Sequence, residues 1–330
     1  MKYRALGKTG IKVSEVGFGL WTLSSVQTRT TTMQESVNLI SAALDLGVNF
    51  FDTADIYAEG YCEELLATAL RRRRHVAVIG AKAGYDFYSF NPLLLPGKRP
   101  QKFTADHIRY ACERSLKRLG TDYIDVLQLH YPGLNVIGKD ELFRDLERLT
   151  VEGKVRSWGV AAGNSPQGAE VALAVIEERR APSAQIPFSA VDQRAGRQVF
   201  PKAAAAGAGV IVRAPLAGGL LTPSGEAVRE PEEDWMQITP ALPPHARKIS
   251  DALTFLPREL GASLAQVAVK YALAMPSVAT ALPDMRSMEQ VAEFTETSDK
   301  PEIPQEYLER IEEIYATYDS RGPRERPLGE

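Results

Sequence analysis

Residues Thr104–His130 read Thr-Ala-Asp-His-Ile-Arg-Tyr-Ala-Cys-Glu-Arg-Ser-Leu-Lys-Arg-Leu-Gly-Thr-Asp-Tyr-Ile-Asp-Val-Leu-Gln-Leu-His. Ile108, Ala111, Cys112, Ser115, Leu116 and Leu119 recur at helical spacing, which predicts one buried helix face. Thr104 stands where an N-cap belongs, and Gly120 stands where such a helix ends. Tyr123–His130 is then a short apolar run of strand character that closes on a histidine. Helix, turn and strand follow each other without a spare residue, which is the unit of an α/β fold.

Outward from this segment the same unit recurs. Candidate strands are Glu15–Leu20, Val48–Thr53, Val76–Ala81, Tyr123–His130, Val155–Ala161, Ala184–Phe188, Gly209–Ala214 and Ser277–Leu282. Eight strands of this kind close a (β/α)8 TIM barrel. Val37, Ile40 and Leu44, ended by Gly47, mark one intervening helix. Ser165-Pro166 opens another with an N-cap and an N1 proline. Leu264, Val267, Ala268 and Tyr271 mark a third, and Ile303, Tyr307, Ile311, Ile314 and Tyr318 a C-terminal helix on the outside. Tyr3–Leu6 and Ile11–Val13 flank Gly7-Lys8-Thr9-Gly10 and read as a β-hairpin that plugs one barrel end. Tyr85–Lys102 and Leu216–Pro244 are too long for turns and are expected as substrate loops at the C-terminal face. Residues 1–320 are read as a single barrel domain, and 321–330 as a charged, mobile tail.

Composition narrows the function. The chain has 330 residues, and its Lys+Arg count of 39 against 42 Asp+Glu leaves −3, too balanced for a nucleic-acid binder. Cys62 and Cys112 lie far apart and form no metal or redox pair, and four histidines make a histidine-rich metal site improbable. The opening Met1–Gly10 lacks the apolar stretch of a signal peptide, and no run reaches membrane-span length. A cytoplasmic protein with no membrane or nucleic-acid partner is the expectation. No Gly-x-Gly-x-x-Gly follows a strand, so the dinucleotide fingerprint of the Rossmann fold is missing.

In such a barrel the chemistry sits at the C-terminal strand ends. The second strand runs into Asp52 and Tyr57, the third ends at Lys82 and the fourth at His130. Taken singly, each has an ordinary explanation. Lys82 can snorkel to solvent, His130 can be a bonded core residue, Tyr57 can pack by its ring, and Asp52 can cap a helix. Together they bring an acid, a phenol, an ammonium and an imidazole to one rim. A lysine beside a tyrosine favours the phenolate and should lower the phenol's pKa. An aspartate can balance the buried lysine, and a histidine can orient a carbonyl oxygen. Those parts suit proton transfer to a developing alkoxide.

At these residues the chain resembles the aldo-keto reductases. Gly17-Phe18-Gly19 after Lys8-Thr9-Gly10, Phe51–Tyr57, Leu119–Asp125 through Gln128-Leu129-His130, Pro215–Leu221 and Pro283–Gln290 all look like motifs of that family, in order and over nearly the whole chain. The resemblance implies a barrel that binds NADP(H) and exchanges hydride between nicotinamide and a small-molecule carbonyl or alcohol. Tyr57 would be the general acid/base, with Lys82 and Asp52 as its tuning pair and His130 as the carbonyl orienter. Gln185 would hold the nicotinamide carboxamide, with Arg213 beside the ring. Leu216, Gly218 and Leu220 would line the pyrophosphate, Arg286 would meet the 2′-phosphate, and Gln290 and Glu293 the adenine. Trp21 counts with the cofactor contacts and, with Phe87, Tyr88, Tyr131 and Trp235, is a candidate for the pocket lining.

The chain departs from the family in three places, one of them Thr222-Pro223, where the family often continues Gly-Lys beyond Leu221. The usual Ser-Asn pair after the fifth strand is Ala161-Ala162, so Asn164 substitutes from a shifted loop. The usual Pro-Gly near the adenosine is Pro283-Asp284, whose carboxylate opposes a phosphate and leaves NAD(H) open beside NADP(H). Two other readings stand against the reductase. One is a class I aldolase with Lys82 as Schiff-base nucleophile. The other is a nicotinamide-binding regulatory subunit on the same fold. The Arg71–Arg74 run, at the end of a predicted helix, is read as complementing the helix dipole.

Overall fold

The structure is a computed structural model that describes residues 1–24, 32–89, 99–223, 225 and 242–319. Strands β1 (Tyr3–Ala5) and β2 (Lys12–Ser14) pair antiparallel as the expected hairpin. The barrel follows as β3 (Phe18–Gly19), β4 (Phe50–Asp52), β5 (Val78–Ala83), β6 (Ile124–His130), β7 (Val155–Ala161), β8 (Ser183–Pro187), β9 (Gly209–Arg213) and β10 (Val278–Leu282). Neighbours in sequence are neighbours in the sheet, and every barrel pair is parallel. The ring closes through a parallel bridge of Val16 with Ala281. There Gly17 N donates to Ala281 O and Ala281 N donates to Glu15 O, both at 2.9 Å.

The helices that cover the barrel are α1 (Met33–Asp45), α2 (Tyr61–Leu70), α3 (Ala105–Leu119), α4 (Asp140–Val151), α5 (Pro166–Arg179), α6 (Arg194–Ala206), α7 (Ala246–Ala252), α8 (Leu256–Leu260), α9 (Leu264–Leu273), α10 (Met288–Thr297) and α11 (Gln305–Asp319). In α3 the Thr104 hydroxyl accepts from His107 N, and Gly120 takes the left-handed conformation that ends the helix. Ser165 sits at the N-cap of α5 but makes no side-chain cap bond, so Pro166 at the first turn carries the start. Full capping boxes open α1, from Thr32 and Glu35, and α9, from Ser263 and Gln266.

Seven of the eight barrel strands differ from the expected bounds, mostly by a residue or two, and two of the differences have a clear local reason. The third strand was expected from Val76, but Arg71–Val76 forms a further helical turn after α2 and leaves Val76 exposed. Lys82 therefore lies inside β5 rather than beyond it, with its backbone held on both sides. In the arginine run, Arg73 pairs with Asp45 of α1 and Arg74 with Asp125 of β6, so one ties the turn to a neighbouring helix and the other to the sheet. The first strand shortens to Phe18–Gly19 because Leu20–Leu23 winds into a helical turn.

The hairpin closes the N-terminal end. Leu6, Ile11 and Val13 form one apolar cluster with Phe50, Val78, Val126, Ile211, Ala279 and Leu282. Phe50 fills that end only because its neighbours are glycines. A Cβ on Gly80 would lie 2.8 Å from Phe50 Cζ, and one on Gly17 2.9 Å from Phe50 Cδ1. The end so sealed leaves the other rim for chemistry. Residues 90–98 and 226–241 of the expected substrate loops, Trp235 among them, and the 321–330 tail lie outside the described residues.

Candidate active site

Each group of the rim is placed by the strand it ends. Asp52 closes β4, Lys82 lies in β5 and His130 closes β6. Tyr57 follows β4 at the head of a tight turn, Tyr57–Gly60, where Ala58 and Glu59 take positive φ of 47° and 56°. Non-glycine residues rarely hold that conformation, and each costs about 1–3 kcal/mol.

The four side chains converge. Lys82 Nζ donates to Asp52 Oδ2 at 2.5 Å, to the Thr53 carbonyl at 3.0 Å and to the Tyr57 hydroxyl at 3.3 Å. The Tyr57 ring centroid is 5.9 Å from that of His130 and 5.2 Å from that of Trp21. Tyr85, at the neck of the loop after β5, sets its ring edge-on to His130 at 5.1 Å. Gln101, on the returning arm of that loop, donates to the carbonyls of His130 and Tyr131 at 3.2 and 2.9 Å. His130 is fully buried, yet neither of its ring nitrogens has a hydrogen-bond partner among the described residues. Buried polar atoms are almost always satisfied, so such a pair points to an absent ligand.

Burial governs the titration of this group. It holds His130 well below the ordinary imidazole range, and the charges of Lys82 and Arg213 add to the effect, so the ring is neutral. It also lowers Lys82, against the opposing charge and hydrogen bond of Asp52. The expectation that the lysine would depress the tyrosine is corrected here. Burial, with Asp52 second, drives the Tyr57 phenol well above its usual value. Desolvation of the phenolate outweighs the opposing charge of Arg213.

The remaining expected site residues fall into two groups. Arg213 closes β9 and donates to the Ala162 carbonyl at 2.8 Å and to Asn164 Oδ1 at 2.5 Å, with its guanidinium 5.1 Å from the Tyr131 ring centroid. The shifted-loop Asn164 is thus brought to Arg213. Gln185 Nε2 donates to Asp52 Oδ1 at 2.8 Å, which ties it to the rim. Trp21 stands against Tyr57. Leu216 and Leu220 bury their side chains in the core, while Ala214, Ala217 and Gly218 between strand and turn take positive φ.

Arg286, Gln290 and Glu293 form the second group, around the start of α10. Gln290 accepts from Arg286 N at 2.7 Å, and Glu293 accepts from Ser263 Oγ at 2.5 Å. The Arg286 guanidinium makes no ion pair among the described residues.

Sequence reading missed a buried network behind the site. Tyr88, expected in the pocket lining, donates instead to Asp55 Oδ2 at 3.1 Å. Arg118 donates to Tyr88 Oη at 3.1 Å and to Glu63 Oε2 at 2.5 Å. Asp55 and Glu63 are both fully buried, and burial raises both carboxyls, Asp55 far above its ordinary value. Gln128 was also missed. A strand alternates its side chains, so its place two residues before His130 was the available signal.

Fold and rim define a (β/α)8-barrel protein with a polar, proton-handling site at the C-terminal ends of its strands. The chain belongs to the aldo/keto reductase family, whose profile matches residues 15–316, and it is accordingly an oxidoreductase of that family. It is similar to L-galactose dehydrogenase of Arabidopsis thaliana, with 29% identity over 95% of this chain and 94% of that protein. It is as similar to a probable voltage-gated potassium channel subunit beta of the same plant, with 28% identity over 95% and 96%. Among solved structures it resembles the holo form of aldo-keto reductase AKR11C1 from Bacillus halodurans, with a TM-score of 0.78 and 28% identity over 95% and 96%. Among the described residues, no helix is long and apolar enough to cross a membrane.

Proposed function

We propose that this protein is an NADP(H)-dependent oxidoreductase that interconverts a small-molecule carbonyl and its alcohol, with Tyr57 as general acid/base. The observation that carries the reading is the convergence of the Tyr57 hydroxyl, Lys82 Nζ and a neutral His130 whose two ring nitrogens have no partner among the described residues. When bound, NADPH supplies the hydride. A neutral His130 donates one N–H to the carbonyl oxygen and holds it near Tyr57. The buried phenol keeps its proton through neutral pH and releases it to the oxygen as negative charge develops there. Lys82 stabilises the phenolate left behind, and Asp52 keeps Lys82 charged against its burial. In the oxidative direction the same phenolate takes the alcohol proton.

The residues present fit a nicotinamide dinucleotide. Arg286, without an ion pair among the described residues, stands one residue before the Ser287 N-cap of α10, where a phosphate is favoured by both guanidinium and helix terminus. The left-handed turn around Ala217 and Gly218 leaves backbone, not side chains, toward the expected pyrophosphate. Gln185, Arg213, Asn164 and Trp21 lie at the nicotinamide end, and Gln290 and Glu293 at the adenosine end. The aldehyde, ketone or sugar that turns over is named by assay. Loss of NADPH absorbance against panels of aldehydes, ketones and sugars, repeated with NADH, should show turnover in at least one class.

A second reading is supported by the similarity to the plant channel subunit: a nicotinamide-binding regulatory protein with little catalysis. Tight cofactor binding with no turnover across all panels would favour it. A borohydride-trapped substrate adduct on Lys82 would instead favour the aldolase.

A further inference from the structure

Asp52 is bonded from three directions. Its Oδ2 takes the Lys82 ammonium, while its Oδ1 accepts from Gln185 Nε2 at 2.8 Å and faces Gln128 Nε2 at 3.4 Å. Gln128 comes from β6 and Gln185 from β8, so two carboxamides reach one carboxylate oxygen from opposite sides of β7. Both are buried, and Gln128 Oε1 has no hydrogen-bond partner among the described residues. A carboxamide with an orphaned acceptor and a long donor contact is a costly way to fill a barrel interior, where leucine or methionine would fit. Its cost is explained if the long contact is one member of an exchange.

We propose that Gln128 is a positioning residue for Asp52, which takes over Oδ1 when Gln185 turns toward a bound nicotinamide carboxamide. The proposal rests on the cofactor reading given above for Gln185. Two amides share one acceptor, and only the shorter bond is fully made. A carboxamide that draws Gln185 Nε2 lengthens that bond, and Gln128 closes from 3.4 Å to replace it. Oδ1 is then never left bare in a buried site, and Oδ2 keeps its hold on Lys82. Gln128 touches neither substrate nor cofactor in this scheme and acts through Asp52 alone.

A double-mutant cycle read by NADPH fluorescence titration tests it, without turnover. Gln185→Leu should weaken NADPH about tenfold, the scale of one lost hydrogen bond in a buried site. Gln128→Met should weaken it by a similar factor, because Gln185 can then leave Asp52 only by exposing an unpaired carboxylate oxygen. In the Gln185→Leu background, adding Gln128→Met should change affinity less than twofold, since no exchange remains to be supported. Gln128→Asn keeps the amide but draws it back by a methylene, and should behave as Gln128→Met. Thermal melts without cofactor establish that each variant is folded.

If Gln185→Leu weakens NADPH while Gln128→Met and Gln128→Asn do not, the exchange is overturned and the cofactor reading stands. If the two effects simply add, Gln128 is a packing residue and the proposal also fails. If Gln185→Leu leaves NADPH unchanged, the assignment of Gln185 to the cofactor is itself wrong, and the exchange falls with it.

Discussion

The two ends of the barrel are made from the same strands under opposite rules. At the N-terminal end, Leu6, Ile11 and Val13 close over Phe50, Val78, Val126, Ile211 and Ala279, each of them buried and apolar. At the C-terminal end, those strands run out into Asp52, Lys82, His130 and Arg213, which are buried and polar. Of the seven described non-glycine residues with positive φ, Ala58, Glu59, Tyr131, Ala214 and Ala217 directly follow Tyr57, His130 or Arg213 or lie in the turn beyond. Backbone strain thus collects at one end, where His130 also holds two buried ring nitrogens without a hydrogen-bond partner among the described residues, and close apolar packing marks the other. The comparison makes the sealed end a source of stability and the open end a place where stability is spent on chemistry.

The largest expected effect breaks the open end alone. Tyr57→Phe removes one oxygen and keeps the ring against Trp21 and His130. Carbonyl reduction should fall by about 10²–10⁴-fold, the usual contribution of a positioned general acid. NADPH affinity and the melting temperature should hardly move. Steady-state rates, fluorescence titration and a thermal melt decide it together, and wild-type turnover in this variant would remove Tyr57 from the mechanism.

Lys82→Met should damage both rate and stability, because here the two ends of the comparison meet. Asp52 would lose its ion pair in a buried site, which costs about 3–5 kcal/mol. The sign of the pH effect follows from the same charge. Removing a cation favours the neutral phenol, so Tyr57, already raised by burial, rises further. Alcohol oxidation needs the phenolate, and its rate should therefore begin to climb at higher pH than in the parent protein. A pH profile of kcat in the oxidative direction measures this. An unmoved profile would mean that Lys82 does not tune Tyr57.

Phe50→Ala sharpens the contrast from the sealed end. Phe50 is fully buried between Gly17 and Gly80, and truncating it should cost about 3–5 kcal/mol of stability. Cofactor affinity and kcat below the melting transition should stay near those of the parent. Denaturant melts with rates on the surviving native protein test it. A large loss of kcat at full folding would show that the two ends are mechanically coupled.

Sequence patterning carried most of this fold, because strand and helix periods are local and the barrel repeats them. Val155–Ala161 was bounded to the residue, and Lys82 and His130 were found by asking which polar residues an apolar strand does not explain. What stayed hidden was non-local. Asp55, Glu63, Tyr88 and Arg118 meet only through folding, since Arg118 lies 55 residues from Glu63 in sequence. The tyrosine's titration is hidden from the sequence for a related reason. A neighbouring charge can be guessed from spacing, but the depth of burial that outweighs it depends on everything packed around the ring. Gln128 is legible in principle from its alternation with His130, but it sits in a strand whose other residues are mostly apolar.

The smallest effect concerns the outer edge of the open end. Arg286 precedes the Ser287 cap of α10 and makes no ion pair among the described residues, whereas Arg74, Arg109 and Arg118 are all paired with carboxylates. An arginine so placed is available to an anion, and a phosphate at that helix start would meet a planar guanidinium able to bind it through two hydrogen bonds. One charge-assisted bond contributes about 1.5–3 kcal/mol, or roughly one to two decades in affinity. NADPH and NADH differ there by the 2′-phosphate alone. Arg286→Ala should therefore weaken NADPH by about that factor and leave NADH nearly unchanged, with kcat on saturating cofactor preserved. Isothermal titration of both cofactors against both proteins separates the cases. Equal weakening of the two would place Arg286 on a part of the dinucleotide they share, and would remove its role in any choice between NADP(H) and NAD(H).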